Sequence, residues 1–220
     1  MKYLFIITLL FMSTFIQAQN INWQSLEKEQ RNLVFINAGL DYGVTLGAGY
    51  GHHFNTRMPL VAVADFSIPS GSTLFDDFKT RIGAQLRFAK TGDFQLSGRV
   101  YGVFRRYQND FARLLNFGSD MSVAAGYYKK KFFIAGEAGF DKAIVTHFKH
   151  SDAYKELFPG VQDGWYDPAT GGNFYYGLQA GYSFSKSDLV LRLGSLVEQD
   201  FRTKPTLPFY VGIGYVLKFR

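Results

Sequence analysis

Hydrophobic and polar residues alternate with a period of two along most of the chain from residue 33 onward. Between Val44 and Tyr50 every second residue is apolar, and the residues between them are Thr45 or glycine. Successive side chains of a β-strand point to opposite faces, so this pattern predicts strands with one apolar face. Further apolar faces of this kind run over Leu60–Ile68, Phe78–Phe88, Phe94–Phe104, Met121–Tyr127, Phe132–Phe140, Phe174–Phe184, Leu189–Val197 and Phe209–Phe219.

The first alternating segment, from Leu33 to Gly51, is too long to be one strand of a membrane barrel. At about 3.3 Å per residue it would measure roughly 60 Å, about twice the thickness of a bilayer core. A turn at Asp41-Tyr42-Gly43, with Gly43 in a left-handed conformation, divides it into two strands and places Leu40 opposite Val44. The segment therefore predicts a hairpin.

The connections between predicted strands alternate in length. Short ones are 55–58, 89–93, 129–131 and 185–188, and longer ones are 69–77, 106–116, 143–172 and 199–207. Aromatic residues stand at the strand ends, with small aliphatic residues between them. Short periplasmic turns, long outer loops and aromatic girdles are typical of outer-membrane barrels. We therefore predict an all-β, transmembrane, antiparallel up-and-down β-barrel of about ten strands, with eight as the alternative count. A soluble barrel or sandwich is the less favoured alternative, because alternation alone does not identify the solvent.

The first residues have the pattern of a cleavable signal peptide. Lys2 precedes an apolar run from Tyr3 to Phe11, and small or polar residues lead to Ala18. The run is short for a membrane-spanning helix, so an uncleaved anchor is less favoured. We assign residues 1–18 to the signal peptide, 19–32 to a periplasmic lead-in that is a short helix or loose segment, and 33–220 to the barrel.

Composition agrees with a β protein at a membrane. Aromatic residues make up 18% of the chain, with 23 Phe and 14 Tyr, and there are 23 Gly. The formal net charge is +6, but Lys and Arg are spread along the chain, so nucleic acid is not expected as a partner. Cysteine is absent, which excludes disulfides, thiolate chemistry and a lipoprotein signal.

Three motifs carry a resemblance to a known group of proteins. They are the aromatic-ended last segment Pro208–Arg220, the segment Leu40–Gly47 and the segment Gly171–Gly177. With them, the mature chain resembles the uncharacterised small outer-membrane β-barrel proteins of Bacteroidota. The resemblance implies residence in the cell outer membrane, contact with its lipid and lipopolysaccharide, and assembly by the outer-membrane assembly machinery. Phe219 is the expected assembly signal, although one extra Arg follows it.

The polar faces of the strands predict a charged barrel interior. The expected lumen network consists of Lys79, Arg81, Arg87, Arg99, Arg105, Glu137, Asp141, Arg192 and Glu198. A barrel of about ten strands is narrow enough for side chains to fill, so we expect a paired plug; a basic solute pathway is the alternative. Counting from the short turns places Gly83 opposite Arg99, Arg81 opposite Tyr101 and Ser122 opposite Glu137. Arg99 and Glu137 would then lie at a similar depth and meet.

The predicted outer loop 143–172 contains the remaining candidate chemistry. Its aromatic residues Tyr154, Phe158, Trp165 and Tyr166 predict either a lid over the barrel mouth, which we favour, or a surface for a protein partner. Ser151, His150 and nearby carboxylates are weak candidates for a hydrolase, because no oxyanion donor can be named. His147, His150 and Asp152 are weak candidates for a metal site.

These observations rank three functions. A structural or interaction scaffold, as part of a larger outer-membrane complex, comes first; a narrow channel or porin-like protein comes second; an outer-membrane hydrolase comes last. The expectation is a protein without enzymatic activity, cofactor or metal.

Overall fold

The computed structural model describes residues 21–40, 43–70, 75–167, 172–202 and 205–220. The predicted signal peptide and its cleavage site after Ala18 lie outside these residues, as do Asp41 and Tyr42 of the predicted first turn. The described elements are β1 (Asn32–Leu40), β2 (Val44–Phe54), β3 (Leu60–Pro69), β4 (Asp77–Thr91), β5 (Phe94–Gln108), β6 (Ala112–Tyr128), β7 (Phe132–His150), α1 (Asp152–Leu157), β8 (Gly164–Tyr166), β9 (Gly172–Ser183), β10 (Ser187–Glu198) and β11 (Phe209–Phe219).

Ten strands form one closed antiparallel barrel. Their order is β1-β11-β10-β9-β7-β6-β5-β4-β3-β2, and β8 pairs only with β7. At the junction of β1 and β2, the His53 amide donates to the Arg31 carbonyl at 2.7 Å and Thr45 Oγ1 donates to the Gly39 carbonyl at 3.3 Å. Both bonds fit the register that sets Leu40 opposite Val44. The predicted ten-stranded barrel is confirmed.

The alternation of the sequence sorts side chains between the two faces of the wall. On neighbouring positions of β4, Arg81 is 5% exposed and Ile82 is 65% exposed. On β5, Val100 is 55% exposed and Tyr101 is 1% exposed. Apolar side chains therefore cover the outside of the barrel, and polar and aromatic side chains fill the inside.

The turns explain why the predicted register was wrong. Between β4 and β5, Thr91 pairs with Phe94 around a two-residue turn in which Gly92 has φ +59°, a conformation that favours glycine. A register shift between Arg87 and Ala89 follows. Together they place Gln85, not Gly83, opposite Arg99.

Two further register predictions are also wrong. Tyr101 lies opposite Gly83 rather than Arg81, and Glu137 lies opposite Ala124 rather than Ser122. On the latter hairpin the Lys129 amide donates to the Phe132 carbonyl at 2.8 Å, which makes the turn tighter than expected. The left-handed conformation predicted for Gly43 stays a prediction, because its φ angle is defined with Tyr42, which lies outside the described residues.

Strands β4 to β7 are the longest of the wall, and β6 and β7 extend furthest. The four have 15, 15, 17 and 19 residues, whereas β1 has 9 and β11 has 11. The predicted loops 106–116 and 143–172 are therefore wrong over much of their length. We call the projecting part the wing, defined as residues 105–117 and 144–150 together with β8. Sequence alternation fails there because a sheet that extends beyond an apolar belt carries polar residues on both faces.

The segment that precedes β1 is packed into the short-turn end of the barrel. Residues 21–31 form turns, not the expected helix or loose segment. Ile21 is 2% exposed and Trp23 is 5% exposed, and both belong to the hydrophobic core at this end. Asn22 Nδ2 fixes the segment by donating to the Lys129 carbonyl at 2.8 Å and to Ser183 Oγ at 2.8 Å. The other members of this core are Leu33, Phe35, Val61, Val63, Tyr101, Tyr128, Phe133, Ala135, Val190 and Val216.

Candidate functional site in the barrel interior

The centre of the barrel contains an arginine shared by two aspartates. Arg81 on β4 donates from Nε to Asp65 on β3 at 3.0 Å and 3.2 Å, and its Nη1 lies 3.7 Å from Asp120 on β6. All three side chains are less than one tenth exposed. A buried guanidinium of this kind is held only where carboxylates and hydrogen bonds compensate its lost hydration. The three strands thus supply one compact ionic group.

A second ionic group surrounds Glu137 on β7. Arg99 Nη2 lies 3.5 Å from Glu137 Oε2, and Arg192 on β10 donates from Nε to Oε1. The Tyr210 hydroxyl on β11 donates to the same Oε1 at 2.7 Å. The predicted meeting of Arg99 and Glu137 is therefore present. The contact passes over the intervening strand β6, because the long arginine side chain of β5 extends to a carboxylate on β7.

Tyr175 on β9 joins the two groups. Its hydroxyl donates to Asp120 Oδ1 at 2.6 Å and accepts from Arg99 Nη2 at 3.1 Å. The rings of Tyr175 and Tyr210 also lie beneath the Arg192 guanidinium, at 5.5 Å and 4.9 Å from its central carbon. The result is a central network of three arginines, three carboxylates and two tyrosines, whose members are Arg81, Arg99, Arg192, Asp65, Asp120, Glu137, Tyr175 and Tyr210.

The central network is electrically balanced. Three cations face three anions, so the middle of the barrel has no formal excess of positive charge. This charge balance differs from the basic pathway of the alternative prediction. Sequence reasoning named the three arginines and Glu137 but missed Asp65 and Asp120. The signal was available, since both aspartates fall on the polar positions of the alternation, beside Phe66 and Met121.

Above the network, at the end of the barrel with the longer connections, lies a cup of about 390 Å³. Lys79 Nζ lies 3.6 Å from Asp141 Oδ2 at its wall, and Arg105 makes a two-point contact with Asp77 at 3.0 Å and 2.6 Å. Its remaining lining is Val103, Tyr107, Leu114, Asn116, Ala143, Thr146 and Asn173. The cup can hold a small polar molecule, but the central network lies below it.

The short-turn end is closed by the N-terminal segment and a buried ion pair. Lys218 Nζ donates to Asp188 Oδ1 at 2.8 Å and to Ser25 Oγ at 2.9 Å, and the Lys218 and Asp188 side chains are fully buried. Asp188 had been assigned to a turn, so its role was missed. The apolar core that contains Trp23 fills this end of the interior.

Two predicted lumen residues, Arg87 and Glu198, lie apart from both the central network and the cup. Arg87 is half-buried near the short-turn end, and among the described residues no carboxylate lies within salt-bridge distance of it. Glu198 is half-buried at the last position of β10, opposite Asn173 of β9. An inward-facing charged residue is therefore not always part of the central network, as Arg87 and Glu198 show.

Two of the four predicted loop aromatics, Trp165 and Tyr166, lie on opposite faces of the wing. Trp165 packs against Phe117 and His147 on the outward face, with ring centroids 5.9 Å and 4.9 Å away. Tyr166 packs against Phe148 on the inward face, at 5.5 Å. None of the four aromatics lines the described cup, so the favoured lid prediction is not supported.

Tyr154 and Phe158 lie at the end of α1. Tyr154 stacks on the His150 ring at 5.2 Å and contacts Phe158 at 4.9 Å, while Phe158 remains 55% exposed. Hydrogen bonds from the His150 backbone N–H at 2.9 Å and from Lys155 Nζ at 2.6 Å lower the pKa of Asp163 below its ordinary range. These contacts fix α1 against the end of β7.

The weak catalytic and metal candidates are not brought together. Ser151 Oγ accepts a hydrogen bond from the Tyr154 amide at 3.3 Å and so caps α1, and no described hydrogen bond joins it to His150. His147 and His150 lie on opposite faces of β7, since one pairs with Leu115 and the other with Ala112. No group of three metal-ligating side chains is found among the described residues.

Phe219 closes β11 at the seam of the barrel. It pairs with Asn32 of β1 and is 46% exposed on the outside. It therefore lies where the predicted final aromatic should lie, beside the first strand of the wall.

Comparison with known proteins does not assign the chain to a family. The chain matches no protein-family model and no curated protein. No helix within the described residues is long and apolar enough to cross a membrane.

Proposed function

We propose that this chain is an integral outer-membrane β-barrel protein with a closed, side-chain-filled interior, and that it acts as a structural or interaction scaffold. The observation that carries this proposal is the apolar belt on the outside of the wall. Side chains around the barrel are half or more exposed, among them Ile36, Leu46, Ile82, Val100, Met121, Val123, Ile134 and Leu178. An apolar surface that encircles a protein would associate in water, whereas a bilayer solvates it.

Aromatic side chains border this belt at both ends, which supports the proposal. At the outer end, ring contacts run from Phe66 through Phe78, Phe104 and Phe117 to Trp165. At the short-turn end, exposed rings include Phe54, Phe88, Phe94, Tyr127, Phe132, Tyr182, Phe184 and Phe219. We call these the outer and inner girdles. Aromatic girdles at the two interfaces are typical of outer-membrane barrels.

The proposed location also rests on the N-terminal sequence. Residues 1–18 have the pattern of a secretory signal peptide, which provides a route to the outer membrane. The resemblance of the last strand and two internal motifs to small barrels of Bacteroidota is in agreement with this route.

The interior favours a scaffold over a channel. The central network pairs its charges across the barrel, and the apolar core with Trp23 fills the end below it. A hydrated path would have to replace both layers. The narrow-channel alternative keeps one feature in its favour, the polar cup at the outer end.

A scaffold needs a surface for its partner, and the wing is the part of the wall that projects. Phe111 at its tip is 58% exposed, and Leu157 and Phe158 at the end of the adjoining α1 are 71% and 55% exposed. We infer that a protein component of the outer membrane contacts this tip. Cross-linking from position 157, with a substitution such as Leu157→Cys, would identify it, because the native chain has no cysteine.

The test of the location is fractionation of the expressed full-length protein. We expect the mature chain in the outer-membrane fraction, and we expect it to migrate differently in gels with and without boiling, because a closed barrel has no free edge from which to unravel. A variant with Ile82→Asp and Val100→Asp on the belt should no longer be recovered in the outer-membrane fraction. Recovery of the native chain in the soluble periplasmic fraction would contradict the proposal.

A further inference from the structure

The outward face of the wing carries a cluster of basic side chains directly above the outer girdle. Arg106 of β5 lies opposite Leu115 of β6, which lies opposite His147 of β7. One step further from the barrel, Arg113 of β6 lies opposite Lys149 of β7. We call Arg106, Arg113, His147 and Lys149 the basic patch.

The patch lies on the lipid side of the wall and not on the lumen side. Phe104 pairs with Phe117 on the outer girdle, and Arg106 and Arg113 follow them at even spacing along the same strands. The intervening residues Arg105 and Asn116 line the cup instead. Because side chains alternate between faces, the patch and the girdle share one surface.

The charges of this patch are not neutralised within the protein. Among the described residues, no carboxylate forms a salt bridge with Arg106, Arg113 or Lys149, whereas Arg105 on the other face is paired with Asp77. Arg106 Nη2 donates to the uncharged Gln108 Oε1 at 2.7 Å, and the buried Nε atoms of Arg106 and Arg113 have no hydrogen-bond partner among the described residues. The nearby carboxylate of Asp163 is already bound by Lys155 and His150.

The arrangement of these charges is unfavourable without an anion. Arg113 and Lys149 are direct cross-strand neighbours, and like charges in this position destabilise a sheet. A recess of about 210 Å³ has Arg113 and Lys149 in its wall, together with Gln108, Asn109, Ala112, His150 and Ser151. It offers an anionic group a place beside both cations.

The height of the patch matches that of a lipid headgroup. Arg106 is two residues beyond Phe104, and Arg113 is four residues from Phe117, which corresponds to roughly 7 and 13 Å along the strands. The headgroup layer begins where the aromatic girdle ends and is several ångströms deep. Trp165 links the two levels, since it contacts both Phe117 of the girdle and His147 of the patch.

We propose that the basic patch binds the phosphate groups of an anionic glycolipid in the outer leaflet. This inference rests on the proposed membrane location. Arginine and lysine side chains donate charge-assisted hydrogen bonds to phosphate oxygens, and one guanidinium group can donate two parallel hydrogen bonds to the same phosphate. Acyl chains of the same lipid would lie along the apolar belt below. The patch would then fix the orientation of one lipid molecule against β5, β6 and β7.

The experiment titrates the purified, folded barrel in detergent with bisphosphorylated lipid A, and it follows Trp165 fluorescence and native mass spectra. The test variant carries Arg106→Gln, Arg113→Gln and Lys149→Gln. The matched control carries Lys130→Gln, Lys131→Gln and Lys186→Gln, which remove three exposed cations at the short-turn end. We expect the native chain and the control to bind, and the test variant to bind on the order of 100-fold more weakly.

Two further arms identify what is recognised. Dephosphorylated lipid A should bind the native chain as weakly as bisphosphorylated lipid A binds the test variant, and inorganic phosphate at millimolar concentration should not displace bound lipid. Equal binding by the test variant, equal binding of the dephosphorylated lipid, or displacement by inorganic phosphate would each overturn the proposal.

Boiling-dependent gel migration, measured on the same samples, distinguishes a failure of the lipid-binding proposal from a failure of the proposed outer-membrane location. A test variant that migrates as a folded barrel and binds lipid A normally refutes the patch alone. A native chain absent from the outer membrane refutes the proposed location.

Discussion

Tyr175 donates its hydroxyl proton to Asp120 at 2.6 Å, and this bond joins the two ionic groups of the barrel interior. The same oxygen accepts from Arg99, which is held by Glu137 on the other side. The Tyr175 hydroxyl thus connects Asp120 of β6 with Glu137 of β7, because Arg99 of β5 contacts both this hydroxyl and Glu137. Hydrogen bonds in such a network strengthen one another, so the network contributes more to stability than its separate pairs would.

Replacing Tyr175 with Phe should destabilise the barrel by about 1–3 kcal/mol, because Asp120 and Arg99 each lose a partner while staying buried. Urea unfolding in detergent micelles measures this change. Tyr176→Phe is the control, since Tyr176 is 56% exposed on the outside. If both variants unfold at the same urea concentration, the Tyr175 hydroxyl does not link the two groups.

Glu137→Ala should be more damaging than Arg99→Ala. Removal of Glu137 takes one shared carboxylate from both Arg99 and Arg192, and loss of one member of a buried ion pair typically costs about 3–5 kcal/mol. Removal of Arg99 leaves Glu137 with Arg192 and Tyr210. The urea midpoints of the two variants check the order. A larger loss for Arg99→Ala would mean that Glu137 is not the centre of its group.

The sequence allowed the barrel and part of this network to be predicted, and the reasons for the gaps are physical. Arg99 and Glu137 were placed at one depth from alternation alone, although the cross-strand register was two residues off. The error arose at Gly92 and at the register shift after Arg87, because a turn's length and a bulge are local choices that alternation does not record.

The N-terminal segment and the wing were missed for a different reason. Trp23 lies in a stretch without periodicity, so nothing in the sequence predicted that it packs inside the barrel. Arg113 and Leu114 lie on opposite faces of a strand that has left the apolar belt, and there the contrast between faces disappears. Alternation of apolar and polar residues indicates that the two faces of a sheet meet different surroundings. It gives no signal where both faces meet polar surroundings.

Phe219→Asp should reduce the yield of assembled barrel several-fold, whereas Lys130→Asp should not. Phe219 pairs with Asn32 at the seam and belongs to the inner girdle, so a charge there disturbs both closure and the membrane interface. Lys130 is exposed in a turn. The amount of protein that migrates as a folded barrel without boiling is the measurement. Equal yields would remove Phe219 from the assembly signal.

The contact of α1 with β7 should depend on pH through Asp163. Hydrogen bonds from the His150 backbone and from Lys155 lower the Asp163 pKa below its ordinary value of 3.8. For a carboxylate with a lowered pKa in the folded state, the stabilisation is present above the ordinary pKa and is lost as pH falls through the lowered one. The difference in Trp165 fluorescence between the native chain and Asp163→Asn should therefore stay constant through pH 4 and disappear only at lower pH, since His147 beside Trp165 is present in both proteins. Disappearance of this difference well above pH 4 would contradict the assignment.

The last prediction concerns conduction through the barrel. Two layers block the interior, the central network and the apolar core around Trp23, so the native protein should give little or no steady conductance in planar bilayers. Glu137→Ala disrupts only the first layer and Trp23→Ala only the second, so each should leak slightly. The double variant should leak more than the two single variants combined, because water and ions need both layers open. Glu156→Ala, which removes an exposed carboxylate of α1, is the control and should behave as the native protein. A large, stable, anion-selective conductance from the native chain would refute the closed scaffold and favour the channel, since a charge-balanced and filled interior offers no path for anions.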